Sequence, residues 1–309
     1  MSGEHGVAYA GVDVGGTKIA AGYLDEAGRP VSVGTEPTTP GGGTANLAAI
    51  ERLLAHPALR GAETVGLSVA TTLNADATLR DPRGWFGWTG IDPGERLSTA
   101  GRSVVTVADA EAGAMGELVR GAGAGSRHLL YVTVGTGVAH CFVHQGEPLA
   151  GAHRSAYFSG YTSPARCPWP PLCDESTVED ISSGSAIARA WSGDPRHDAR
   201  EVFRAAGNGD ERATTVIDHA AWHLGALVAD LIMIYDPDIV VIGGGLGTGA
   251  DAYRESAVQT ARRRIVPEHA RDVPIVPAAL DGMSCWVGAL ELARGGATPS
   301  APGGRDVLA

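Results

Sequence analysis

Residues 11–28 read GVDVGGTKIAAGYLDEAG, and the glycine pair inside them organises everything around it. Two β-rich segments, Val7–Val14 and Ile19–Leu24, flank the turn, and Arg29–Gly34 supplies a third strand of an antiparallel meander. Within DVGGTK, Gly15 and Gly16 let the backbone approach an anion closely, with Thr17 and Lys18 directly behind them. Successive N–H groups in such a turn form a phosphate-binding nest. Asp13, one step before it, can hold Mg²⁺ directly or through water. An ordinary hairpin turn is the plainer alternative.

The device recurs. LLYVTV, the turn Gly135-Thr136-Gly137 and VAHCFVH repeat strand, glycine turn, strand, and Gly243-Gly244-Gly245 follows a buried strand at Ile239–Ile242. Neither GxGxxG nor GxxxxGK[ST] occurs at these turns, which disfavours a Rossmann site and a Walker loop. The repetition is one of pattern rather than identity, and it predicts two lobes on one plan with a nucleotide held between them. Helical spacing marks Thr44–Leu54 behind a Thr44 cap, Ala110–Leu118, Thr214–Tyr235 and Cys285–Arg294; Thr64–Ala70 and Val104–Val107 read as strands. The expected division is an N-terminal lobe over 1–115, a C-terminal lobe over 116–294 whose last helix can pack back on the first, and a disordered tail over 295–309.

Asp109, in VADAEAGAMGE, stands where a strand gives way to a helix. A carboxylate there is either a helix cap or a general base taking the proton of an attacking hydroxyl.

Bulk properties narrow the class. The chain has 309 residues, 44% of them apolar, enough to bury a large core. A net charge of −11 opposes binding to nucleic acid or to an anionic membrane. No apolar run of about 18 residues and no signal-like N-terminus is present, so a cytoplasmic location is expected. Four cysteines (Cys141, Cys167, Cys173, Cys285) do not make a disulfide framework; Cys141 and Cys285 read as small core residues. Lys18 is the only lysine, which reflects base composition more than function.

Taken in order, GVDVGGTKIAAGYLDEAG, RGWFGW, VADAEAGAMGE, TVGTGVAH and DPDIVVIGGGLG resemble the ROK family of sugar kinases and repressors, in the superfamily of hexokinase and actin. The resemblance runs from Val7 to Arg294. It implies an α/β, two-lobed actin-like ATPase (ribonuclease H-like) fold with its active-site cleft between the lobes. It puts Gly15, Gly16, Thr17 and Lys18 on a first phosphate loop, Asp13 near Mg²⁺, Gly135, Thr136 and Gly137 on a second, and Gly243, Gly244 and Gly245 at the nucleotide. Asp109 matches the catalytic base. The implied reaction is ATP- and Mg²⁺-dependent phosphorylation of a primary hydroxyl of a polyol. Family members are commonly homodimers.

The departures fall on the sugar. Ala108 stands where the family carries an asparagine. The family's A-G-E-x-G-H pattern meets Ala156–Tyr161, so Phe158 replaces its glutamate and Tyr161 its histidine, which is also a zinc ligand in the family. The zinc loop is reduced to CPWPPLCDE (167–175), so no structural zinc is expected. Tyr157, Phe158 and Tyr161 become candidate walls of a less polar pocket, or simply pack their loop. Asp81 and Trp85 lie at the family's sugar-binding Gly-Trp segment and Glu175 near its terminal glutamate; a turn residue and a solvated charge are the alternatives for Asp81 and Glu175.

Loss of hydroxyl-reading groups disfavours plain glucose. The leading expectation is a kinase for a sugar-like polyol, with a C7-cyclitol such as 2-epi-5-epi-valiolone phosphorylated at its 7-hydroxymethyl as the specific candidate. A glucokinase or N-acyl-hexosamine kinase is the first alternative, and a non-catalytic sugar-binding sensor the second. A repressor is disfavoured by the acidic charge and by only twelve residues ahead of Asp13, too few for a winged helix.

Overall fold

The computed structural model describes residues 7–74, 79–81, 84–89, 91–99, 101–165, 177–194 and 197–295. The chain forms two compact units, one built from the described residues through Val119 with 150–155 and Met283 onward, the other from Arg120–Leu149 and Ala156–Gly282.

In the first unit β1 (Tyr9–Val14), β2 (Lys18–Leu24) and β3 (Pro30–Pro37) form the expected meander, followed by α1 (Gly43–Leu54), β4 (Thr64–Val69), the short pair β5 (Thr72–Leu73) and β6 (Leu79–Arg80), α2 (Pro93–Thr99), β7 (Ser103–Ala108) and α3 (Asp109–Arg120). The sheet order is β3-β2-β1-β4-β7, with β1, β4 and β7 parallel. Runs such as VGLSV in β4 are buried on both faces, as parallel central strands must be. The register aligns Asp13 with Ser68 and Val107, and Val14 with Val69 and Ala108. Asp13 and Asp109 therefore both emerge at the carboxyl edge of the parallel strands, where open α/β sheets bind ligands.

The second unit repeats the plan. Its elements are β8 (His128–Val134), β9 (Val138–His144), β10 (Glu147–Pro148), α4 (Glu179–Ser182), α5 (Gly184–Ser192), α6 (Ala199–Gly207), α7 (Glu211–Tyr235), β11 (Ile239–Gly243), α8 (Gly244–Gly249), α9 (Asp251–Arg264), α10 (Glu268–Arg271) and β12 (Ile275–Pro277). Its sheet order, β10-β9-β8-β11-β12, matches the first in the sense of every pairing from the hairpin inward. Helix α7 is long and apolar enough to cross a membrane, yet most of it is buried in this unit's own core among Leu130, Val132, Val240 and Ile242.

The chain then returns to the first unit as α11 (Ser284–Arg294), which lies on β1 and β4. Glycines make this approach possible: a Cβ at Gly11 would stand 2.1 Å from the Trp286 carbonyl oxygen, at Gly66 2.0 Å from that of Ala289, and at Gly288 1.7 Å from that of Ala112.

The α1 start differs from expectation. Gly42 rather than Thr44 is the cap, and no side chain caps it. The backbone at Gly43 crosses that of Gly87 too closely for any Cβ, and buried Asn46 fastens the entry by bonding Thr39 and the Phe86 carbonyl.

Candidate active site

The first glycine turn is a closed hairpin. The Gly15 N–H donates to the Lys18 carbonyl at 3.0 Å, the Thr38 hydroxyl to the Gly15 carbonyl at 2.8 Å and the Thr38 N–H to the Thr17 carbonyl at 3.1 Å. Thr17 and Lys18 remain exposed. The Trp85 indole N–H reaches the Gly16 carbonyl at 3.4 Å, which brings the loop at Gly84–Trp88 against this turn. Asp81 spends its two oxygens on the backbone N–H groups of Trp85, Phe86 and Trp88, at 2.9, 3.0 and 3.2 Å. Its observed task is ordering the loop that carries Trp85, the turn role the sequence left open.

Asp13 is half-buried beneath the hairpin and accepts from the Ser68 hydroxyl at 2.8 Å. Burial pushes its pKa up to about 6, against the lowering pull of the Ser68 bond and of Lys18. A half-buried carboxylate suits a hard divalent cation, which takes oxygen ligands.

Asp109 opens α3, and its Oδ1 accepts the N–H of Ala110 at 2.8 Å. Ala108 ahead of it is buried. The Cys285 thiol lies 3.6 Å from the Asp109 carbonyl. Burial raises the Cys285 pKa well above its usual value, and the charges of Asp13, Asp109 and Glu117 raise it further while Lys18 opposes them. Cys285 packs at the margin of a small core cluster of Val107, Ala112 and Ala289, beside the acidic groups of the site, and Cys141 is fully buried.

The second unit presents its own glycine turn. Gly135 N–H donates to the Gly137 carbonyl at 2.9 Å, closing the β8–β9 hairpin. The start of α5 is stitched to it, with Gly184 N–H on the Gly135 carbonyl at 2.7 Å and the Ser185 hydroxyl on that of Thr136 at 3.2 Å. Glu179 accepts the Val138 N–H at 2.9 Å, and a Cβ on Gly137 would meet its carboxylate at 2.6 Å. Glu179, Gly184 and Ser185 escaped the sequence reading; the SSGS run capping α5 was the available signal.

The three glycines at the end of β11 and the start of α8 divide. Gly243 is required by packing, since a Cβ would come 2.2 Å from the Tyr131 hydroxyl, and Gly244 adopts φ +79° against the Val134 carbonyl. Gly245 has open space where a Cβ would point, and its N lies 3.6 Å from the Cβ position of Gly135. That cradle, two backbone turns side by side with no side chain between them, fits a phosphate chain.

The aromatic candidates lie in the second unit. Tyr157 is buried and its carbonyl accepts the His140 N–H at 3.0 Å. Phe158 is half-buried and meets Tyr161 edge-to-face at 5.8 Å; Tyr161 is exposed. Gly160 holds the loop flat on β9, where a Cβ would strike the Val138 carbonyl at 2.1 Å. Glu175, Cys167 and Cys173 lie outside the described residues.

Paired sheets of matching order, each opening on a glycine hairpin, define the actin-like ATPase fold class. The chain belongs to the ROK family, whose sequence profile matches residues 9–295. It is 31% identical over 269 residues to a glucokinase of Halalkalibacterium halodurans, covering 79% of this chain and 82% of that one. It is 30% identical to a kanosamine kinase of Amycolatopsis mediterranei over 92% of this chain and 95% of the relative. A solved ROK family glucokinase from Streptomyces griseus, in complex with glucose and AMPPNP, superposes with a TM-score of 0.78 at 28% identity, over 93% of this chain and 99% of that one. The protein is a phosphotransferase with an alcohol group as acceptor.

Proposed function

We propose that the chain transfers the γ-phosphoryl group of ATP to a primary hydroxyl of a sugar-like polyol, with Asp109 as the general base. The observation that carries this is the shared carboxyl edge: Asp13 near the end of β1 and Asp109 just after β7 stand on either side of β4 in one parallel set, with an exposed lysine and a glycine hairpin at the same edge. Asp109 would accept the proton as the acceptor oxygen bonds to phosphorus and the bond to the departing ADP oxygen breaks, so atoms and charge balance. Asp13 would hold Mg²⁺, which neutralises phosphate charge when bound. Gly135–Gly137 and Gly245 would cradle the nucleotide phosphates, with the N–H groups of Thr136, Gly137 and Gly245 as donors, since that of Gly135 closes the hairpin.

For the acceptor, we propose a C7-cyclitol such as 2-epi-5-epi-valiolone, phosphorylated at its 7-hydroxymethyl. Ala108 at the end of β7, and Phe158 and Tyr161 in the aromatic loop, support an acceptor read less by hydrogen bonds than glucose is. The second reading, a glucokinase or amino-sugar kinase, is favoured by the names its relatives carry. Release of ADP with the cyclitol, glucose, kanosamine and N-acyl hexosamines separates the two. At least tenfold higher kcat/KM for the cyclitol is expected, and equal rates on glucose would sink that assignment. The reading further includes a homodimer and no structural zinc, since CPWPPLCDE offers two thiols and no histidine. Metal analysis of the purified protein finding stoichiometric zinc would overturn the latter.

A further inference from the structure

Arg154 and Glu111 form an ion pair that the reaction as described above does not use. The guanidinium Nη2 lies 2.9 Å from Glu111 Oε2, and both side chains are more than nine-tenths buried. Glu111 stands two residues after Asp109, in the first turn of α3. Arg154 comes from the 150–155 segment that belongs to the first unit, and it adopts φ +51°, a conformation costly for a residue with a Cβ. Its Nε is buried with no hydrogen-bond partner among the described residues.

Each of these features weighs against stability. Two charges are desolvated, which their attraction offsets only when every remaining donor is satisfied. One donor is not. The backbone adds strain. The far half of α3 needs no help, because Ser284 donates to Glu117 at 2.7 Å and Gly116 and Gly288 lock α3 against α11 at backbone contact. The first turn meets α11 through the Ala112 carbonyl against Gly288 and through the Cys285 thiol 3.6 Å from the Asp109 carbonyl, whereas the Glu111 side chain is held by Arg154.

We propose that the Arg154–Glu111 pair is a positioning element for the catalytic carboxylate: by anchoring Glu111 it fixes the first turn of α3 and so the direction in which Asp109 faces the acceptor hydroxyl. This rests on the kinase reading above. The pair acts through Asp109, so it governs kcat rather than the affinity for either substrate.

The test uses Arg154→Met, Glu111→Gln, Arg154→Lys and the double variant Arg154→Met/Glu111→Gln in the full chain, with kcat and both KM values measured across pH alongside thermal melting. Single variants leave one charge buried alone and can fail to fold, so the double variant, which removes both charges, decides. The expected result is a kcat lowered at least tenfold, both KM values within threefold of wild type, a melting temperature unchanged or raised, and partial rescue in Arg154→Lys. A double variant that keeps kcat within twofold overturns the proposal, as does one in which kcat falls only in step with lost folded protein. A wild type inactive on every acceptor overturns the kinase reading and this proposal together, whereas an active wild type with an unaffected double variant overturns this proposal alone.

Discussion

The hydroxyl of Ser68, on β4, donates to Oδ1 of Asp13, on the neighbouring strand β1, at 2.8 Å. The bond stabilises the ionised carboxylate against the burial that pushes its pKa up to about 6. Asp13 must be ionised to hold a cation, so kcat/KM for MgATP, which reports the free enzyme, should fall below about pH 6. Ser68→Ala removes the stabilising bond and should move that acid limb upward by about one unit. A pH–rate profile checks this; a limb that stays in place would mean another group sets it.

The same shift has a consequence for folding. An unfolded aspartate titrates near 3.9, so the folded state binds the proton more tightly, and the contribution of Asp13 to stability is lost as pH rises from about 4 through about 6. At neutral pH the ionised group should cost up to about 3 kcal/mol. Asp13→Asn should accordingly melt higher than wild type at pH 7.5 while losing most activity, and denaturant unfolding at pH 4 and 7.5 measures the difference.

Asp109→Asn keeps the side chain's size and its bond to the Ala110 N–H while removing the basic oxygen. A loss of about 10²–10⁴-fold in kcat, with folding intact, is the expected result for a general base. Single-turnover phosphoryl transfer within threefold of wild type would place the base elsewhere.

Glycine substitutions separate packing from binding. Gly288→Ala drives a methyl to 1.7 Å from the Ala112 carbonyl, so α11 must move off α3, and a loss of roughly 3 kcal/mol or more is expected. Gly245→Ala meets nothing within 4 Å and lies in α8, so stability should hold or rise by up to about 1 kcal/mol. If Gly245 meets the nucleotide, the latter variant alone should raise the KM for ATP severalfold; thermal melting with and without ATP distinguishes the two effects.

The fold was legible because its marks are local. Alternation and glycine placement gave both hairpins, and the apolar runs in β4, β8 and β11 gave central strands buried on both faces. The positions of Asp13 and Asp109 at the carboxyl edge were legible because each stands at the close of an apolar strand run. What escaped depends on residues far apart in sequence: Glu179 beneath the Val138 N–H, Glu111 with Arg154, and Cys285 beside Asp109 are joined across 41, 43 and 176 positions. Thr44 misled for a related reason, since the α1 start is set by the crossing of Gly43 with Gly87, which no cap pattern encodes.

His223, on α7, is buried, and neither ring nitrogen has a hydrogen-bond partner among the described residues. Its ring stands 4.8 Å from that of His219. Burial lowers its pKa to about 4, and the charges of His219 and Arg264 lower it further. The folded state thus holds His223 neutral while the unfolded chain protonates it near 6.5, so its share of stability is present above about pH 6.5 and is lost as pH falls toward 4. His140, also pulled down to about 4 by burial, adds a loss of the same sign. His223→Leu removes two unsatisfied polar atoms and a proton-binding site together. It should raise stability by about 1 kcal/mol or more at pH 7 and flatten the decline between pH 6.5 and 4. Urea unfolding across that range measures both; a variant less stable at pH 7, or as acid-sensitive as wild type, would show that His223 is held by bonds other than those described.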